Sequence, residues 1–150
     1  MDKVEFLILR NLLYNEEYVR KVLPFIKGEY FEDYNQKVVF EEISKFVVEY
    51  NQPATKEVLC IETEKRQDIN DSSFQEITKL ISYLEDEPSE FDWLVNTTEK
   101  WCRDRAIYLA LMESIQLADG KDETKDRDAI PSIFQMPLQY LLTHILVMTT

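Results

Sequence analysis

Apolar side chains recur at spacings of three and four along almost the whole chain, and only two glycines, Gly28 and Gly120, interrupt them. That is the period of one helix face, and hairpin-turn signals between alternating runs are missing, so the pattern predicts an all-α fold. Val4, Leu7, Ile8 and Leu12 form the stripe of a first helix over 2–13. Asn15, followed by Glu16 and Glu17, predicts an N-cap and a short second helix that stops before Pro24, with Gly28 in the turn beyond. A third helix over 33–50 places Val39, Phe40, Ile43, Phe46, Val47 and Tyr50 inward. Pro53 then disfavours helix in Gln52, and Thr55 is suited to cap a fourth helix carrying Val58, Leu59 and Ile61. Ser72 with Gln75, or Ser73 with Glu76, has capping-box spacing for a fifth helix whose stripe is Ile77, Leu80, Ile81 and Leu84.

The longest periodic segment runs from Ser89 to about Ala118 and carries Phe91, Leu94, Val95, Trp101, Cys102, Tyr108, Leu109, Met112 and Ile115. The charged stretch "DGKDETKDRD" reads as a linker, and "AIPSIF" opens a last helix with Pro131 in its first turn. The expected organisation is therefore a globular bundle of about five helices over roughly 1–88, a long-helix hairpin over roughly 89–134, and a separate tail over 135–150. Trp93 and Trp101, eight apart on the long helix, are expected to share a face.

Charge narrows the function. The chain has 17 Lys and Arg against 29 Asp and Glu, a net charge of −12, which argues against direct nucleic-acid binding because such modules neutralise phosphates with cations. Cys60 and Cys102 lie far apart without a CxxC, so neither a zinc site nor a disulfide framework is expected, and a reducing setting fits best. His144 is the single histidine, which leaves little material for His-based catalysis or a His metal cluster. A phosphate-cradling GxxxxGK[ST] loop needs two closely spaced glycines, and none are present. Acidic residues gather at Glu85, Asp86, Glu87, Glu90 and Asp92, which read as a solvated connection into the next helix, although a carboxylate-dependent enzyme or an acidic DNA mimic could use them. The opening "MDKVEFLILRNLLY" reads as a helix and not a secretory signal, and the tail is shorter than the roughly 20 residues a membrane span needs.

Several segments carry a family likeness: "LPFIKGEYFEDYNQKVVFEEISKFVVEYNQPATKEVL", "ITKLISYLEDEPSEFDWLVNTTEKWCRDRAIYLALMESI" and "AIPSIF". Within them an acidic-aromatic-aromatic element (Glu29, Tyr30, Phe31) is followed by Val39, Phe40, Ile43 and Val47, then Pro53 with Thr55, then Arg105 with Ala106. In this order the chain resembles the N-terminal domain of the DnaB-like replicative DNA helicases in their T-even phage form, over nearly all of 1–134. The resemblance implies a helical bundle followed by a hairpin through which such domains pair. Six of them then form a collar, a trimer of dimers, over a ring of ATPase domains. It further implies primase as a partner, little direct nucleic-acid contact and the cytoplasm of a bacterial host. ATP, Mg and the Walker motifs belong to the second domain of that family, so no cofactor and no enzymatic activity are expected for this chain. Tyr108, Leu111, Met112 and Ile115, with Ile130, Ile133 and Phe134 facing them, are the candidates for self-association or partner contact. The rival reading is a stand-alone acidic phage adaptor or DNA mimic.

The likeness stops at Met136. From Gln135 to Thr150 the chain has no Asp, Glu, Lys or Arg. With suitable synonymous codons the same nucleotides read in another frame spell D-A-T-A-V-S-F-D-T-H-F-G-H-D-Y, a family-like continuation. The expectation is that a one-base insertion or deletion, or a sequencing error, near the codon of Gln135 shifted the frame. Sequencing the locus tests this: the alternate frame should run on into an ATPase domain, and early stops there would refute it.

Overall fold

The structure, a computed structural model, describes residues 3–119. Among them are six α-helices and no strand: α1 (Lys3–Tyr14), α2 (Glu16–Val22), α3 (Tyr34–Tyr50), α4 (Lys56–Glu64), α5 (Asp71–Ser82) and α6 (Phe91–Ala118). Two 3₁₀ turns, Leu23–Phe25 and Gly28–Tyr30, join α2 to α3. The fold is all-α, as the spacing of apolar residues requires. The second arm of the expected hairpin, with Ile130, Ile133 and Phe134, and the tail over 135–150 lie outside the described residues.

Local chemistry explains most helix ends. Asn15 accepts the backbone N–H of Tyr18 at 3.1 Å and starts α2, and Thr55 accepts from Val58 at 3.2 Å and starts α4. Asp33 accepts from both Asn35 and Gln36 to start α3. The cap of α5 is Asn70, which takes the N–H of Ser73 at 2.8 Å, so neither capping box predicted from Ser72 or Ser73 forms. An Asn just before Asp71 satisfies the same orphan donor and leaves the serines inside the first turn. Asn51 terminates α3 two residues ahead of Pro53: it adopts the left-handed conformation (φ 52°) and returns its N–H to Val47 O at 2.8 Å.

The chain divides into two compact units, Met1–Thr98 and Glu99–Thr150, so the first turns of α6 belong with α1–α5. The boundary expected near residue 88 falls inside the acidic connection, ahead of α6. Leu94, Val95 and Thr98 carry the packing of the first unit beyond that point, since all three are buried.

In the first unit α3 is the central element, packed against α1, α4 and α5. A helix enclosed from several sides must be apolar over more than one stripe. Accordingly Val38, Val39, Phe40 and Ile43 are all buried, and the Phe31 ring lies 5.3 Å from that of Phe40. Ile8, Leu9, Leu12, Leu59, Ile77, Ile81, Leu84 and Leu94 complete the core at 1% exposure or less. Each such side chain contributes roughly 2–3 kcal/mol by leaving water. In α1 the buried apolar residues are Ile8, Leu9, Leu12 and Leu13, while Val4 and Leu7 are half-buried. The expected inner face of α3 fails at its far end, where Tyr50 is 57% exposed, and Ile61 of α4 is also open at 48%. The last turns of α3 outrun the elements that cover them, and Ile61 sits on a different face of α4 from buried Leu59 and Thr63.

Polar ties fix the connections. Tyr14 Oη donates to Leu84 O at 2.7 Å, Arg10 reaches Glu87 at 3.1 Å and Ser89 at 3.0 Å, and Asn11 also meets Ser89 at 3.3 Å. The acidic stretch after α5 is thereby fastened along α1. Inside the core, Tyr18 Oη lies 2.6 Å from Thr98 Oγ1. Thr98 donates its own hydrogen to Leu94 O at 2.8 Å, so Tyr18 must be the donor between them. Tyr18→Phe would leave the Thr98 oxygen without its donor and should cost about 1 kcal/mol of unfolding free energy, measured by urea titration. A loss near zero would mean that the pair contributes nothing net.

Candidate functional site

The second unit is described by the part of α6 from Glu99 onward. Cys102, Ala106, Ala110, Ser114 and Leu117, at successive spacings of four, four, four and three, are buried. A second stripe runs along the same segment: Tyr108 (47% exposed), Leu111 (43%), Met112 (38%) and Ile115 (52%), with Ile107 at 38%. The spacing of 108, 111, 112 and 115 is that of one helix face, so these side chains form one open apolar strip. The helix is thus apolar on two sides, one covered and one in solvent. Four of the seven residues proposed from sequence are brought together here. Ile107 was missed, although it lies one helical turn before Leu111. The Arg105 guanidinium stacks over the Tyr108 ring, 4.9 Å from its centroid, which places a cation at the edge of the strip.

Trp101 is 9% exposed and Trp93 is 54% exposed. Eight residues advance a helix by about 800°, leaving the two side chains roughly 80° apart, so the shared face expected from their spacing is not formed. Cys102, 1% exposed, has its thiol pushed up to about 12, by burial first and by the Glu99 carboxylate second. It is kept as a neutral, inert thiol. Cys60 is raised more modestly, again by burial, with Lys56 opposing.

The strongest electrostatic feature of the first unit was not legible in the sequence. Arg66, after α4, reaches Glu41 at 3.1 Å, Glu42 at 3.4 Å and Asp68 at 2.6 Å, and Tyr34 donates to Asp68. Asp68 is held well below the usual carboxylate range, chiefly by its hydrogen bond from Arg66 and then by that from Tyr34. Arg66 is correspondingly raised, led by Asp68. This cluster clamps the α4–α5 loop onto α3 and compensates Glu42, whose side chain is only 5% exposed. It is a structural clip, since its carboxylates are already matched by cations. Glu85 and Glu87, candidates for acid-base or metal chemistry, are bound by Lys56 (3.1 Å) and Arg10 (3.1 Å). Among the described residues no group of three or more His, Cys, Asp or Glu is placed to hold a metal ion, and no helix is long and apolar enough to cross a membrane.

Most of the residues that carry the family likeness prove to be scaffold, Arg105 at the edge of the strip being an exception. Tyr30 and Phe31 are buried, Val39, Phe40 and Ile43 are core, Thr55 caps α4, and Ala106 is buried on α6. Among the described residues the fold is all-helical, with an exposed apolar strip on the longest of these helices. No family model matches the chain. It is 29% identical over 140 residues to the DnaB-like replicative helicase of Enterobacteria phage T4, an alignment that covers 88% of this chain and 29% of that relative. The chain is thus similar over most of its length to a phage DnaB-like replicative helicase, and it spans less than a third of the length of that curated relative, 29%.

Arg66→Ala should destabilise the domain by about 1–2 kcal/mol at neutral pH, because buried Glu42 keeps only Lys45 as a cation partner. The sign of the pH dependence follows from Asp68. A carboxyl depressed in the folded state adds stability that is complete above the unfolded value near 4 and is lost as pH falls through the folded value. The difference between wild type and variant in urea titrations should therefore shrink below about pH 4. A difference that widened on acidification would contradict this assignment.

Proposed function

We propose that the chain is a non-catalytic assembly and partner-docking domain of a phage replicative helicase, which pairs with itself through α6 and presents a docking surface for the cognate primase. The observation that carries this reading is the open strip of Tyr108, Leu111, Met112 and Ile115 opposite a buried face of the same helix. Water-exposed apolar side chains in a contiguous row are costly unless something covers them. In a protein related to a DnaB-like replicative helicase, a second copy of the same surface is the natural cover.

One helix face supplies only part of the roughly 800 Å² per partner that a stable interface buries. Ile130, Ile133 and Phe134, which lie outside the described residues, are assigned to the same interface from the sequence and would add to that area. The strip offers aromatic and Met side chains with an Arg at its rim, a composition enriched at interfaces. ATP and Mg chemistry is assigned to the part of such helicases that this chain does not span, and the working compartment to the cytoplasm of the bacterial host.

Sedimentation equilibrium on the full chain should show concentration-dependent dimers or larger species up to about 100 µM, which a micromolar interaction would populate. Leu111→Asp and Ile115→Asp should return it to monomer with the helical content intact, and Tyr108→Ala with Met112→Ala should weaken capture of the cognate primase. A wild-type chain that stays monomeric throughout and does not bind the primase would overturn the reading.

A further inference from the structure

The first unit carries a second unpartnered apolar surface. The C-terminal half of α3 and the middle of α4 enclose a groove of about 510 Å³ lined by Glu42, Lys45, Phe46, Glu49, Tyr50, Val58, Ile61 and Glu62. On α3 its floor continues the core stripe past the point where other helices cover it, and on α4 it lies on a different face from buried Leu59 and Thr63. On α3, Phe46 and Tyr50 follow Ile43, their rings 4.7 Å apart, and on α4 Ile61 follows Val58. Tyr50 is 57% exposed and Ile61 48%, so two bulky side chains from different helices meet solvent in one place.

The charge around this floor has one sign in excess. Lys45 is the single cation of the lining and is shared between Glu42 at 3.6 Å and Glu62 at 3.7 Å. Glu57 and Glu64 stand four residues before and three after Ile61 on α4, on its own exposed face. Glu49 adjoins Tyr50, and among the described residues none of these three acids makes an ion pair. An apolar floor with an acidic rim selects against phosphate backbones and anionic lipid surfaces, and favours an amphipathic helix that brings a bulky apolar anchor flanked by Lys or Arg.

We propose that the α3–α4 groove is a docking site for a basic amphipathic helical segment of another protein. An apolar side chain of that segment inserts between Tyr50 and Ile61, and its cations face Glu49, Glu57 and Glu64. The volume accommodates one or two large side chains, as small-ligand and peptide-anchor sites do. The site is independent of the α6 strip and does not need the self-association reading to hold.

The probe is a fluorescein-labelled helical peptide of about 14 residues, with Leu and Phe at i, i+3, i+4 and i+7 and Lys or Arg flanking them, titrated with the full chain at about 150 mM salt. Saturable anisotropy with a micromolar Kd is expected, weakened at least about tenfold by Ile61→Asp and by the double variant Glu57→Lys with Glu64→Lys. Leu111→Asp, which opens the other surface, should bind the peptide as wild type does, and circular dichroism should show all variants folded. The proposal is overturned if the wild type does not bind, if a Glu-flanked peptide binds equally well, or if both groove variants retain wild-type affinity. Self-association abolished by Ile61→Asp but untouched by Leu111→Asp would overturn it too, making the groove a contact between copies.

Discussion

Enclosure of the first half of α3 is the constraint from which the rest of the first unit follows. Val38, Val39, Phe40 and Ile43 leave water on several sides at once, which requires α1, α4 and α5 to surround that helix. Once they do, the connections have little freedom. The α4–α5 loop is drawn over α3 and fastened by Arg66, and the stretch after α5 is laid along α1 by Arg10, Asn11 and Tyr14. Polar groups in these ties act less through net energy, since hydrogen bonds exchanged with water return little, than through the cost of leaving any one of them unmatched in a dry place. Glu42 and the hydroxyl of Thr98 are the clearest instances.

The two candidate interaction surfaces arise differently: α3 runs on past the elements that cover it, whereas α6 is apolar on two sides of which only one is buried. Beyond Ile43, α3 continues for two turns with Phe46 and Tyr50 still on the stripe, and α4 carries Ile61 alongside. On α6 the apolar residues occupy two sides, of which Cys102, Ala106 and Ala110 mark the buried one and Tyr108 with Leu111 the open one. The two surfaces differ in chemistry. The α6 strip has an Arg at its rim, which suits contact with another copy of an acidic chain; the groove is ringed by carboxylates, which would repel its own copy and favour a cationic partner.

Helix existence, order and most caps could be read from the residues, because they depend on neighbours within a turn: Asn15 and Thr55 hold the N–H groups that their positions predicted, and Ile77, Leu80, Ile81 and Leu84 are all buried. The α5 cap was misassigned because Asn70, Ser72 and Ser73 all have side chains able to accept the bond, and only the path of the preceding loop selects Asn70. Trp93 and Trp101 were grouped by a spacing that looks like two turns but drifts around the axis. The Arg66 cluster joins α3 to the α4–α5 loop across more than twenty residues of sequence and has no local signature for that contact.

Periodicity by itself determined that the chain is helical and which side chains are apolar enough to seek cover, since both are properties of 3.6-residue geometry and side-chain transfer from water. It identified the apolar face shared by Tyr108, Leu111, Met112 and Ile115 without being able to say whether a neighbour hides it. Only the tertiary structure decided that Ile43 is core while Tyr50, on the same stripe, meets solvent, and that Cys102 is sealed while Leu111 is not. Exposure depends on where other elements end, a relation between distant parts of the chain that no local pattern encodes.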